Sequence, residues 1–276
     1  MFLKLGARYK RSNYMDKKLT DKIFKRAKEL GVDMVSACTT AQMEKYPGAK
    51  EEISKIDPQA KSLLIVGMRM VSSSVAASQR NIRIAQFSTK LLYEELARVG
   101  FALMRDLDDA GFSASPIPTY LPLPMQRETG GLIAELSLRH IAYEAGLGSI
   151  GKNGLLITKE FGPRVRFLAI LTSADLAPGK PVEENYCSEC DLCVEACPTG
   201  ALRLKGEEAI MRCAVHHMKY GLPGLIRFGI KLVKAPSDDE KINLIKSPDF
   251  WELWQNMNTG VFYYCFDCLN SCPVGK

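Results

Sequence analysis

The sequence predicts an α+β chain: an α/β-type N-terminal layer over residues 1–178, then a small cysteine-rich module over 179–276. Three observations carry that expectation. Strand-like and helix-like segments alternate over the first ~175 residues. The stretch CSECDLCVEACPTGA sets Cys187, Cys190, Cys193 and Cys197 at spacings of three, three and four, with Pro198 directly after. The run CFDCLNSCP places Cys265, Cys268 and Cys272 ahead of Pro273. Between layer and module, APGKPVEEN reads as a polar, proline-rich linker.

The first cysteine run is the C-x2-C-x2-C-x3-C-P arrangement by which bacterial ferredoxin modules hold iron–sulfur clusters. In two-cluster modules the fourth cysteine of each run ligates the other cluster. By that rule Cys187, Cys190, Cys193 and Cys272 hold one [4Fe–4S] cluster. Cys265, Cys268 and Cys197 begin a second and fall one thiolate short. Cys213, in MRCAVHH, fills the gap. Zinc takes four thiolates too, but usually from separated C-x2-4-C pairs. Disulfides need an oxidising compartment that nothing in the sequence suggests. Cys38, in the apolar MVSAC, is left over and reads as a small buried hydrophobe.

In chain order, Asp16 to Leu30 has helical periodicity in Leu19, Ile23, Ala27 and Leu30, closed by Gly31. VDMVSAC and KSLLIVGMRM have strand length and composition. Ile84 to Ala110 repeats Leu92, Leu96, Val99, Leu103 and Leu107 as one stripe, ended by Gly111. FSASPIP reads as a strand, and PIPTYLPLP, with Pro116, Pro118, Pro122 and Pro124, as an extended surface or cleft-lining loop. A helix is expected from Leu132 to Ala145, with Glu135, Arg139 and Glu144 as surface pairs. RVRFLAILTSA reads as a strand.

The 276 residues carry a formal charge of +6 that counts cysteines as neutral. Eight thiolates and two cluster cores bring the loaded protein nearer about +2, so the basic balance is poor evidence for nucleic acid. No apolar run reaches the ~18 residues of a spanning helix, and no signal peptide is legible, so a cytoplasmic location is expected.

AGLGSIGKNG matches G-x-G-x-x-G at Gly146, Gly148 and Gly151, but a helix precedes it and a strand follows, the reverse of a dinucleotide fingerprint. Glycines at this density suggest a turn whose backbone approaches a large flat ligand, with Lys152 and Asn153 adding donors at its lip. Residues 220–260 form an insertion between Cys213 and Cys265. Its part 223–236 sets Leu225, Ile226, Ile230 and Val233 against Arg227, Lys231 and Lys234. That pattern suits a peripheral membrane helix, a dock for an acidic electron donor, or a lid packed on a core, with Trp251 and Trp254 in the same lid.

LRHIAYEAGLGSIGKNGLLITKEFGPRVRFLAILT followed by CSECDLCVEACPTGAL resembles the cobalamin-dependent reductase superfamily, which includes epoxyqueuosine reductases and reductive dehalogenases. The glycine–lysine–asparagine turn, FGPRVR, CPTGA, Cys213 and the terminal CxxCxxxCP run all have counterparts there, and the resemblance extends from about Leu30 onward. It implies an N-terminal domain holding a base-off corrinoid whose cobalt lies near one cluster. The residues implied to touch it are Gly146, Leu147, Gly148, Gly151, Lys152, Asn153, Thr199, Ala201 and His216. A ferredoxin- or flavodoxin-type donor and a small-molecule substrate follow from the same resemblance.

Two departures stand out. Epoxyqueuosine reductases carry an acidic proton donor about fourteen residues ahead of this turn, where GGLIAELSL puts Leu132 or Ile133. The sequence given stops three residues after Pro273, without the helical-repeat extension linked to tRNA. Both argue against tRNA as a partner. Reductive dehalogenases use a tyrosine donor on a helix, a place close to that of Tyr93, which otherwise reads as core packing between Leu92 and Leu96. Two further functions compete with a reductase: an electron-transfer protein, and an activase that reduces another protein's corrinoid.

Overall fold

The computed structural model describes residues 16–120, 122, 134–187, 190–260 and 265–276. Helix α1 (Lys17–Glu29) starts at Asp16, whose carboxylate accepts from the Leu19 amide at 2.9 Å. It is followed by β1 (Met34–Thr39), α2 (Thr40–Met43), α3 (Ala49–Ile56), β2 (Ser62–Arg69), α4 (Ser72–Ala77) and the long α5 (Ile82–Asp109). Next come β3 (Ala114–Ile117), α6 (Leu138–Glu144), a hairpin of β4 (Ser149–Ile150) and β5 (Leu156–Ile157), and β6 (Val165–Thr172). The cysteine-rich part contains α7 (Leu192–Glu195), a 3-10 turn at Ala201–Arg203, α8 (Gly206–His217), α9 (Gly221–Val233), α10 (Asp238–Lys246), α11 (Pro248–Thr259) and α12 (Asp267–Ser271). Among the described residues no helix is long and apolar enough to cross a membrane.

The four-stranded sheet has the order β1-β2-β6-β3, with every neighbouring pair antiparallel. Strands alternate with helices as the sequence suggests, yet β2 and β3 run parallel only across the intervening β6. The β2–α5–β3 crossover thus straddles a strand laid down later. Pro116 sits on the edge strand β3, where a missing N–H costs no central ladder bond.

Both faces are covered, so β2 and β6 read as continuous apolar runs. Leu63, Ile65, Ala169 and Leu171 pack with Met43, Ile53 and Ile141 on one face. Leu64, Val66, Leu168 and Ile170 pack on the other with Ile23 and Ala27 of α1 and with Leu96, Val99, Leu103 and Leu107 of α5. Cys38 is fully buried within the first core, as its apolar setting implied. A third cluster joins Met70, Val75 and Ala85 to Phe266 and Leu269. The terminal cysteine run therefore returns to pack on the N-terminal layer.

Several expectations change. The helix expected from Leu132 begins at Leu138; residues 134–137 are not helical, and Leu132 and Ile133 lie outside the described residues, as do Leu121 and residues 123–124 of the proline loop. Glu144 is not a surface residue: it is buried, accepting from Tyr46 Oη at 2.6 Å and pairing with Lys45 at 2.8 Å. Arg139 turns inward to donate to the Gly154 carbonyl at 2.7 Å. The linker is held, since the Gly179 amide donates to Ala37 O at 2.8 Å.

Register on α5 is testable with two near neighbours. Leu103 is fully buried, whereas Phe101 is 61% exposed. Leu103→Ala should cost roughly 2–5 kcal/mol in urea unfolding, and Phe101→Ala should stay within about 0.5 kcal/mol of the parent.

Candidate metal centre and adjoining groove

Arg164, just ahead of β6, is almost completely buried. Its guanidinium donates to Leu269 O at 3.1 Å, Cys272 O at 3.0 Å and Val274 O at 2.5 Å. It thereby caps α12 and fixes Cys272. Gly162 lies under the same segment: a Cβ there would stand 2.1 Å from Val274 O. Arg164 belongs to the FGPRVR stretch, but its clamping role was not read from sequence. Its charge is visible there; the carbonyls it serves are more than a hundred residues away.

Cys187, Cys190, Cys193 and Cys272 line one small cavity together with Lys152, Asn153 and Asp191. The chain brings Cys272 to the first run through α12, which packs against α7. Burial pushes the Cys193 thiol up, and the charges of Cys187, Cys272 and Cys190 push it further. At the lip, Lys152 Nζ donates to Asp191 at 2.7 Å. Asn153 is buried; its Oδ1 accepts from the Leu155 amide at 3.1 Å, while its Nδ2 has no partner.

The remaining four cysteines also gather. Burial raises Cys268 to about 12, and Cys213, Cys193 and Cys197 add to the rise. Burial raises Cys265 to about 12 as well, and raises Cys213, with Cys197 contributing. Cys197 goes the other way. Burial would raise it, but the Leu202 amide, the Thr199 hydroxyl and the Thr199 and Ala201 amides outweigh that. The CPTGA turn thus aims donors at one sulfur, Thr199 Oγ1 standing 3.6 Å from Cys197 Sγ. Because Cys193 acts on Cys268, the two sets are neighbours.

These groups suit iron–sulfur cores. Cys193 in one group and Cys213, Cys265 and Cys268 in the other are held up by burial and by neighbouring thiols, so a positive core is needed before these can ionise together, and the partnerless Asn153 Nδ2 offers a hydrogen bond to sulfur. Among the described residues, no three His, Cys, Asp or Glu side chains converge on a single ion. Thiolates around one zinc at ~2.3 Å would stand about 3.8 Å apart, a tighter grouping than a cluster requires.

Beside the second set runs an open groove of about 720 Å³, lined by Thr199, Met211, Arg212, Val215, His216, Lys219 and Arg227. Arg166, on β6, has a buried Nε without a partner. Burial, then the charges of Arg166 and His216, push His217 down to about 3, so it stays neutral. The groove has the size of a large-ligand site. It offers apolar surface in Met211 and Val215 and a cationic rim of Arg212, Lys219 and Arg227.

The residues expected to touch one cofactor do not meet in one place. Thr199 and His216 line the groove, whereas Lys152 and Asn153 line the first cysteine cavity. Ala201 is buried behind Cys197, and Leu147 packs on the sheet-face core. The glycines answer to the chain itself. A Cβ on Gly146 would stand 2.3 Å from Lys180 O, one on Gly148 2.3 Å from Ile157 O, and one on Gly151 2.7 Å from the Ile157 side chain. Close backbone packing alone therefore accounts for their density. Tyr93 stacks on Tyr120 with centroids 5.1 Å apart and packs on the α5-side core, outside the groove lining. The preceding Leu92 reaches the cluster of side chains that includes Cys268.

A family model for the 4Fe-4S binding domain matches residues 180–203. The tetrachloroethene reductive dehalogenase of Dehalobacter restrictus is 33% identical over 125 residues, 44% of this chain and 20% of that protein. The epoxyqueuosine reductase of Gloeobacter violaceus is 45% identical over 76 residues, 28% of this chain and 24% of that protein. The chain thus matches only about a fifth to a quarter of these relatives' length. Among solved structures, an epoxyqueuosine reductase with a tRNA-Tyr stem loop superposes with a TM-score of 0.53 at 20% identity, covering 94% of this chain and 66% of that one. A reductive dehalogenase whose structure suggests a mechanism for B12-dependent dehalogenation gives 0.58 at 14% identity, covering 94% and 39%. The structural likenesses show a shared fold, and the sequence matches show similarity to these reductases over part of the chain, with a 4Fe-4S binding domain at residues 180–203.

Two variants test the site. Cys213→Ala should lower iron content and abolish or convert one cluster only, read by low-temperature EPR; two intact [4Fe–4S] signals would remove Cys213 from the ligand set. Gly148→Val should lose soluble protein and iron together, because its side chain meets the Ile157 backbone. A soluble variant with full iron would contradict that packing.

Proposed function

We propose that the protein is a corrinoid-dependent iron–sulfur reductase, fed by a ferredoxin- or flavodoxin-type donor and acting on a small molecule. The observation that carries this reading is the groove of Thr199, His216 and three cations lying directly beside the second cysteine set. When bound, two [4Fe–4S] clusters and a corrinoid supply one-electron storage and a low-valent cobalt that reduces the substrate. The residues' tasks follow from their places. Cys187, Cys190, Cys193 and Cys272 hold one cluster, and Cys197, Cys213, Cys265 and Cys268 the other. Thr199 and the amides of the CPTGA turn stabilise charge on Cys197. Asn153 and Lys152 serve the first site, and Arg212, Lys219 and Arg227 neutralise the corrinoid phosphate.

A tRNA substrate is the second reading. The related structure containing a tRNA stem loop weakens the expectation against tRNA drawn from sequence. The acid-free stretch from Ala209 to Ser237 gives a polyanion a cationic surface.

Anaerobic protein with full iron should take up cob(II)alamin one to one in an optical titration. Arg212→Glu combined with Arg227→Glu should weaken uptake on the order of tenfold or more with iron unchanged. No uptake by the parent would leave an electron carrier or an activase. Oxidation of reduced methyl viologen by a halogenated phenol, compared with an epoxyqueuosine-bearing stem loop, then separates the two substrate classes.

A further inference from the structure

The insertion ties back to α5 through Arg83 and Glu252 at 2.9 Å, but its apolar stripe is not covered as the lid expectation required. Helix α9 turns Gly224 and Phe228 toward α11: a Cβ on Gly224 would stand 3.0 Å from Leu253, and Phe228 meets Phe250 at 5.0 Å. Its aliphatic stripe of Leu222, Ile226, Ile230 and Val233 is exposed, Val233 by 82%. Only Arg227 of this helix lines the groove, so the stripe does not cover the cofactor cleft. From Phe250 the ring contacts continue through Trp251 to Trp254, each step 5.9 Å, and both tryptophans are half exposed. Lys231 and Lys234 follow Ile230 and Val233 of the stripe directly, and no Asp or Glu stands between Ala209 and Ser237; Arg212, Lys219 and Arg227 face the groove.

We propose that α9 and the Trp251–Trp254 edge of α11 form a dock for an anionic lipid bilayer, lying in its interface without crossing it. With 13 residues, α9 is roughly 20 Å long, short of the ~30 Å hydrocarbon core. Aliphatic side chains on one face, cations beside them and tryptophans at the edge are the features of an interfacial helix. The cations select for negative headgroups. A redox partner's footprint is small and polar and does not call for a four-residue aliphatic stripe. RNA would use the cations and leave that stripe in water.

The chain's only two tryptophans, Trp251 and Trp254, make intrinsic fluorescence a reporter of this surface. On mixing the full, iron-loaded chain with phosphatidylcholine vesicles containing 30% phosphatidylglycerol, we expect a blue shift of emission, quenching by brominated acyl chains and co-sedimentation. Binding should fall on the order of tenfold or more in pure phosphatidylcholine or in 0.5 M salt. The double variant Ile226→Glu, Ile230→Glu should lose binding while keeping its circular dichroism and iron. Lack of sedimentation, or salt-independent binding to neutral vesicles, would overturn the proposal. A dimer by light scattering with blue emission in the absence of lipid would assign the surface to a second copy. A shift produced by tRNA but not by vesicles would assign it to RNA.

Discussion

The bridge from Arg164 to the carbonyls of Leu269, Cys272 and Val274 holds the layer and the cysteine module in one arrangement. Hydrogen bonds from a charged donor contribute about 1.5–3 kcal/mol each when they form and leave a costly vacancy when they do not. Here three acceptors at the end of a short helix depend on one buried cation. Phe266 and Leu269 add apolar contact with Met70 and Val75, so the segment is held on both sides. This clamp returns the chain to the start of β6 and brings Cys272 into the cavity lined by Cys187, Cys190 and Cys193.

The surrounding electrostatics are divided between the two sites. Three amides and a hydroxyl converge on Cys197, whereas Cys265 and Cys268 have burial acting against their ionisation. Arg166 is the cation whose charge reaches Cys268. The thiols thus differ in how readily each gives up its proton, and a metal core must supply the charge that the protein withholds.

Much of this was legible in the sequence, for identifiable reasons. Cysteine spacing is local, so the two runs were readable before any fold was known, and the fold brings Cys213 near Cys197 and Cys268. The α5 stripe and the β2 and β6 runs were equally plain, because burial on one or both faces writes itself into periodicity. Glu144 misled because its partners, Tyr46 and Lys45, lie a hundred positions earlier. The glycines of the turn misled for a related reason: a residue lacking Cβ signals that something is close without saying whether it is a ligand or Lys180 and Ile157. The α9 stripe misled because amphipathic spacing normally means a core, and this helix already packs with a different face.

The interlocked cysteine sets also constrain the order of events during biosynthesis. On the proposed ligation neither site can close on the first run alone: one waits for Cys272, and the other for Cys213, Cys265 and Cys268. All of α8 to α11 must therefore be translated before the first cluster has its last ligand. The N-terminal sheet has no such wait, since β1, β2, β3 and β6 are all in hand by Thr172. A folded sheet then presents Arg164 and the Met70 pocket as a waiting receptor, and the late segment docks onto it. On that ligation metal delivery follows folding of the layer, and a ribosome stalled inside the insertion would leave a sheet followed by Cys187, Cys190, Cys193, Cys197 and Cys213 with neither site complete.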